Sequence, residues 1–217
     1  MERQDVQMAA PAAVAAQAAT ASAVPAPAVS PPTILFLCTA NRCRSPLAQQ
    51  LLHRALHEAG VVALVTSAGL MQGGLPTPRT GVRVAAANGL NLTKHHSVRV
   101  TPRLVQVSDV VLTMNRQHAR EIVSLCPDSW PRVYPLKQFT ELLQYTELPR
   151  RMYFRDAAVL VGEGRKKNAI LGNPDYDSVE DPIGQPPAAW QRVLDELHQE
   201  ISQIVLSFTT ILQRSDR

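Results

Sequence analysis

The chain has 217 residues, 45% hydrophobic and 5% aromatic, enough for one core of ordinary size and too little for a second domain. Its 22 Lys and Arg against 18 Asp and Glu leave a net charge of +4, a mild, scattered excess that suits small anionic ligands and offers no stripe for nucleic acid. Three cysteines, Cys38, Cys43 and Cys126, are too few for a disulfide framework and lack zinc-ligand spacing, and no stretch reaches the about 18 apolar residues of a membrane span, so a reduced, cytoplasmic protein without metal, cofactor or membrane insertion is expected.

Met1 to Asp5 holds two acids and one Arg with no apolar run behind it, which argues against an export signal. From Met8 to Pro32 the residues are almost all Ala, Pro, Val, Ser, Thr and Gln. With nothing large to bury, residues 1–32 read as a disordered tail and 33–213 as the domain.

The domain opens with Ile34-Leu35-Phe36-Leu37, a continuous apolar run of the kind buried on both faces of a parallel sheet. After a short loop, Ser45-Pro46 reads as a cap and first turn of a helix that carries Leu47, Leu51, Leu52, Ala55 and Leu56 on one face and stops at Gly60. The alternation continues: strand over 61–66, helix over 80–88, a doubly buried strand over 107–113, helix over 116–125, a brief strand at 133–134 and helix over 136–144. Residues 147–173 carry scattered Arg and Lys and weak periodicity, predicting a surface insertion with a short helix or a lid. A last helix over 186–213 places Trp190, Val193, Leu194, Leu197, Ile201, Ile204, Val205 and Phe208 at helical spacing. The rhythm predicts a single doubly wound α/β domain: a four-stranded parallel sheet flanked by helices, with flavodoxin-like topology. In such sheets ligands bind beyond the carboxyl ends of the strands, where residues 38–45 lie.

That loop reads Cys38-Thr39-Ala40-Asn41-Arg42-Cys43-Arg44-Ser45. A helix N-terminus presents unpaired N–H groups and the positive end of its dipole, so a loop wrapped into one is prepared for phosphate. A cysteine sulfur facing the same donors is stabilised as the thiolate and becomes a nucleophile without a neighbouring base. The planar fork of Arg44 suits two equatorial oxygens of a phosphoryl group. Ser45 is placed to hydrogen-bond the sulfur, and Asn41, tolerant of left-handed backbone, holds the loop in shape.

Cys38 to Pro46 resembles the signature of the low molecular weight protein tyrosine phosphatase family. Ser67-Ala68-Gly69, Pro78-Arg79, the stretch from His95 to Thr101, Asp109 to Met114 and Asp181-Pro182 recur in the family's order, so the similarity spans about residues 33 to 210. It implies hydrolysis of phosphate monoesters through a cysteinyl-phosphate, on a phosphotyrosine protein or small aryl phosphate. The implied catalytic residues are Cys38, Arg44 and Asp181, with phosphate bound by Thr39, Ala40, Asn41, Arg42, Cys43, Arg44 and Ser45. Tyrosine's poor leaving group requires an acid. Composition leaves Asp175, Asp177, Glu180 and Asp181 open, and the resemblance selects Asp181. It also implies that Ser67 and His95 brace Asn41, although an idle histidine pair with His96 is the plain alternative, and that Cys38 and Cys43 form a protective disulfide on oxidation.

Two positions depart from the family. Ala40 stands where Gly is common, and Arg42 where Ile or Thr is, at the implied mouth of the pocket, either drawing in acidic substrates or extending into water. No aromatic wall is evident near Met71 to Leu75, and Tyr176 is the only aromatic near Asp181. The alternatives are a protein-arginine phosphatase, an arsenate reductase, for which Cys126 alone cannot form the two-cysteine relay, and a phosphate-binding regulator without turnover.

Overall fold

The computed structural model describes residues 30–149, 152–172 and 174–212. Four parallel strands, β1 (Thr33–Cys38), β2 (Leu64–Gly69), β3 (Val110–Thr113) and β4 (Val133–Pro135), form a sheet in the order β2-β1-β3-β4. Alternation along β1 feeds two cores. Ile34, Phe36 and Cys38 face one side with Leu47, Leu51, Trp190 and Leu197, while Leu35 and Leu37 face the other with Val111, Ala119 and Ile122. The helices are α1 (Arg44–Glu58), α2 (Arg79–Ala87), α3 (Pro102–Val107), α4 (Arg116–Leu125), α5 (Leu136–Tyr145), α6 (Phe154–Val161) and α7 (Pro187–Leu212). Strand β1 lies between β2 and β3, so its carboxyl end opens at the point where strand order reverses.

The predicted α/β sheet is present, and its differences from expectation have local causes. Strand β2 begins and ends three residues later than predicted because its register runs from Thr33 opposite Leu64 to Cys38 opposite Gly69. It must reach Gly69, where an added Cβ would lie 2.7 Å from the Asn41 nitrogen and 2.8 Å from the Ala40 carbonyl carbon. The backbone of the 38–45 loop uses the space a side chain would need.

Residues 107–109 are not strand. Thr101 caps α3 by accepting from the Leu104 N–H at 3.3 Å, with Pro102 in the first turn, and Val107 ends that helix. Ser45 is not the cap of α1 either: the cap is Cys43, without a side-chain hydrogen bond, and Ser45 lies inside the first turn with its hydroxyl turned to the loop.

The stretch from 147 to 173 was expected at the surface, yet α6 contributes Phe154, Ala157, Ala158 and Val161 to the main core. The helix was obscured in sequence by the cations around it. One of them, Arg165, stacks over Trp130 at 4.1 Å and Tyr134 at 3.7 Å and donates to the Trp130 and Val133 carbonyls. Burial pulls its pKa down to about 10. Arg150, Arg151, Asn173, nearly all of the predicted tail and the Phe208 side chain lie outside the described residues.

Candidate active site

Cys38 is the last residue of β1, 2% exposed, and the loop after it turns directly into α1. Its sulfur receives the Asn41 N–H at 3.2 Å and lies 3.0 Å from the Ser45 hydroxyl. That hydroxyl proton has a second acceptor, the Ala68 carbonyl at 3.3 Å, so it is free to follow the charge on sulfur.

Asn41 makes the turn possible. Among the described residues it is the one non-glycine with positive φ, at 50°, and it is fully buried. Its amide nitrogen donates to Ser45 Oγ at 2.9 Å and Ser67 Oγ at 2.8 Å, and its amide oxygen accepts the Val98 N–H at 2.8 Å. His95 Nε2 lies 2.7 Å from the Asn41 carbonyl; a carbonyl only accepts, so this nitrogen carries the proton. Burial holds His95 below the ordinary histidine pKa, with the neighbouring His96 adding to the effect and the carbonyl bond opposing it. Ser67 and His95 therefore both meet Asn41. Ser67 in turn donates to Gln49 Oε1 at 2.6 Å, a residue of α1 that sequence reading did not single out.

Arg44, 5% exposed, aims one nitrogen at the Val179 carbonyl (3.2 Å) and the other at Thr39 Oγ1 (3.2 Å) and Asp181 Oδ2 (2.5 Å). The fold thus brings Asp181 to the loop from 137 positions away. Geometry separates the four candidate acids. Asp177 is buried and paired with Arg116, Glu180 lies 3.9 Å from Arg192 on the surface, Asp175 is exposed, and Asp181 alone among them contacts Arg44.

His118 is a second residue that sequence reading missed. It sits in the first turn of α4, where Asn115 accepts its N–H at 2.9 Å, and its Nε2 lies 2.9 Å from Thr39 Oγ1. Burial, reinforced by the charge of Arg44, pulls its pKa to about 3, so the ring is neutral. A strand end followed by an Asn cap was its only signal.

Arg42 resolves between the two expectations in a third way: its Nε donates to the Pro76 carbonyl at 2.8 Å, tying it along the 70–78 segment. The exposed side chains of Met71, Leu75, Val98 and Ile183 are apolar and non-aromatic, and the Tyr176 hydroxyl is taken by Arg116. Ala40 needs no positive φ. Cys43 is a free, fully buried thiol whose pKa is raised far above its usual range, first by burial and then by the charges of Asp181 and Cys38. Among the described residues no cluster of three His, Cys, Asp or Glu is placed to hold a metal ion, and no helix is long and apolar enough to cross a membrane.

A buried cysteine beneath a helix N-terminus, with an Arg six residues on and a carboxylate brought in by the fold, defines a class: cysteine-dependent phosphatases on a doubly wound sheet. The model of the family described as low molecular weight phosphotyrosine protein phosphatase matches residues 33–149. A probable low molecular weight protein-tyrosine-phosphatase, EpsP of Ralstonia solanacearum, is 32% identical over 133 residues, covering 61% of this chain and 90% of that one. The low molecular weight protein-tyrosine-phosphatase Wzb of Escherichia coli is 34% identical over 95 residues, 44% of this chain and 63% of its own. In fold, the chain resembles the YwlE arginine phosphatase from Geobacillus stearothermophilus, with a TM-score of 0.61 at 24% identity over 83% of this chain and 94% of that one. The chain belongs to the low molecular weight phosphotyrosine protein phosphatase family and is a phosphatase.

Proposed function

We propose that the chain hydrolyses phosphotyrosine in proteins, or small aryl phosphates, with Cys38 as nucleophile, Arg44 as phosphoryl clamp and Asp181 as proton donor and acceptor. The observation that carries this reading is the meeting at Arg44. The guanidinium lies in the first turn of the helix behind the cysteine loop and already holds the Asp181 carboxylate at 2.5 Å.

In the free enzyme that carboxylate occupies the anion position on Arg44. A phosphoryl dianion entering the cradle of residues 39–45 supplies more charge and two oxygens in the plane of the fork, so it takes Arg44 over and releases Asp181, whose carboxylate, now facing a like charge and open to water, takes up a proton from solvent. The Cys38 thiolate attacks phosphorus in line with the ester oxygen. The phosphorus–sulfur bond forms as the phosphorus–oxygen bond breaks, and the departing phenolate takes the proton of Asp181. Asp181 then accepts a proton from the attacking water. The sulfur leaves as thiolate, its charge received by the Ser45 hydroxyl and the Asn41 N–H, and inorganic phosphate departs.

Ser67 and His95 act behind the loop by fixing Asn41, whose left-handed turn aims the N–H groups inward. Asp181 is half-exposed, at 41%, as a group that exchanges protons with water should be. Residues 33–213 form the catalytic domain in this reading. The three free cysteines favour a reducing cytoplasmic setting.

The test is turnover of an aryl phosphate, a phosphotyrosine peptide and a phosphoarginine peptide by wild type and Cys38→Ser. Wild type is expected to hydrolyse the first two, and Cys38→Ser to lose activity by a factor of roughly 1,000 or more. Activity that survives in Cys38→Ser would remove the nucleophile, and a preference for phosphoarginine would remove the substrate assignment.

A further inference from the structure

Arg116, in the first turn of α4, has every guanidinium nitrogen engaged. Its Nε pairs with Asp177 Oδ2, Nη1 donates to the Leu171 carbonyl at 2.9 Å, and Nη2 donates to the Tyr176 hydroxyl at 2.8 Å. The pair is withdrawn from water, with the Asp177 side chain 3% and the Arg116 side chain 14% exposed. The other Asp177 oxygen is buried without a hydrogen-bond partner, so Arg116 is what keeps this carboxylate from being an uncompensated buried charge.

These contacts lie on the chain just before Asp181. Leu171 follows the turn that ends the 152–172 stretch, and Tyr176 and Asp177 belong to the single turn that opens the acid loop. Downstream, the Val179 N–H donates to the Met114 carbonyl at 2.8 Å and the Val179 carbonyl accepts from Arg44 at 3.2 Å. Arg120, one turn along α4, adds bonds to the Ile170 and Gly172 carbonyls at 2.6 and 2.5 Å. One side of the loop is thus held by the phosphate clamp itself and the other by α4.

We propose that Arg116 is a positioning residue for the phosphatase reaction: through Tyr176 and Asp177 it sets where the Asp181 carboxylate stands over the pocket, and it docks the 152–172 stretch to the same frame. This rests on the reading of Asp181 as the general acid. Arg116 touches neither sulfur nor phosphate clamp, so its loss falls on proton transfer and leaves anion binding in place. A purely structural ion pair would impose no such selectivity.

The experiment compares Arg116→Met, Arg116→Lys, Tyr176→Phe and Asp181→Asn on a phosphotyrosine peptide and on dinitrophenyl phosphate, whose leaving group needs no proton. The parameter is kcat/KM, which covers steps up to leaving-group departure. Arg116→Met is expected to lose about tenfold or more on the peptide, with dinitrophenyl phosphate turnover and inhibition by inorganic phosphate moving by no more than about threefold. Arg116→Lys and Tyr176→Phe should show smaller losses with the same selectivity, and they carry the test if Arg116→Met does not fold. Combining Arg116→Met with Asp181→Asn should add little to Asp181→Asn alone. Equal losses on both substrates, or weakened phosphate inhibition, in Arg116 variants while Asp181→Asn stays selective would overturn the role of Arg116. If Asp181→Asn itself lacks selectivity, the acid assignment falls instead.

Discussion

Asn41 shows how much of the site is held by one side chain. An L-residue in the left-handed region costs about 1–2 kcal/mol. Here that cost is offset by three bonds through the carboxamide and one through the carbonyl of this fully buried residue. The return is functional: the turn sends the Asn41 N–H to the sulfur at 3.2 Å.

His118 supports a different corner, and its buried, neutral ring has a thermodynamic consequence. Its folded pKa, about 3, lies below the ordinary 6.5, so between those values the unfolded chain binds a proton the folded one refuses. Stability gained from keeping the ring neutral is full above pH 6.5 and is lost as pH falls toward 3, at a rate on the order of 1 kcal/mol per pH unit. Melting wild type and His118→Gln at pH 7 and pH 4.5 checks this. The drop in Tm between the two conditions should be clearly smaller in the variant, and equal drops would mean that the ring takes up a proton without cost. At this scale the sequence spoke through local spacing. Cys38, Asn41, Arg44 and Ser45 follow from residues within one turn of each other, and Ser67, His95 and Asp181 from resemblance alone. His118 and the Val98 amide reach the loop, and Gln49 reaches Ser67 behind it, only through strand register and helix docking, which leave no mark in nearby spacing.

Elements fix the loop from behind. Gly69 ends β2 beneath the loop backbone, and α2 presses on α7 at Gly81, where an added Cβ would sit 2.3 Å from the Trp190 ring. Gly81 lies inside α2, where alanine is intrinsically the better helix former by about 1 kcal/mol. Packing should still decide, because Trp190 is fully buried and overpacking a core costs about 1–3 kcal/mol. Gly81→Ala is therefore expected to lower the midpoint of urea unfolding and to perturb Trp190 fluorescence; a stabilised variant would show that the ring has room to move. Elements with a full apolar period were legible: α4 has the predicted bounds and α5 is one residue longer. Those set by tertiary partners were not. The ends of β2 answer to β1, α3 is too short for periodicity, and α6 buries a small face between cations whose partners are distant in sequence: the Asp109 carboxylate for Arg155, and carbonyls and rings for Arg165.

At the scale of the molecule, the sheet order β2-β1-β3-β4 makes the reaction possible. It delivers the 38–45 loop, the start of α4 and the 178–182 segment to one edge, so Asp181 meets Arg44 in the loop that carries Cys38 across most of the chain. The parallel topology was readable from the strand-helix rhythm, and the position of the site followed from it. What rhythm could not supply was which acid arrives there.

The most direct measurement is an acid-quenched reaction of Asp181→Asn with dinitrophenyl phosphate, followed by mass analysis of its peptides. Without Asp181 as base the phosphoenzyme should break down slowly, so a phosphoryl increment is expected on the peptide containing Cys38 and on no peptide when Cys38→Ala is added. A phosphoryl group on any other residue, or turnover with none on Cys38, would contradict the account.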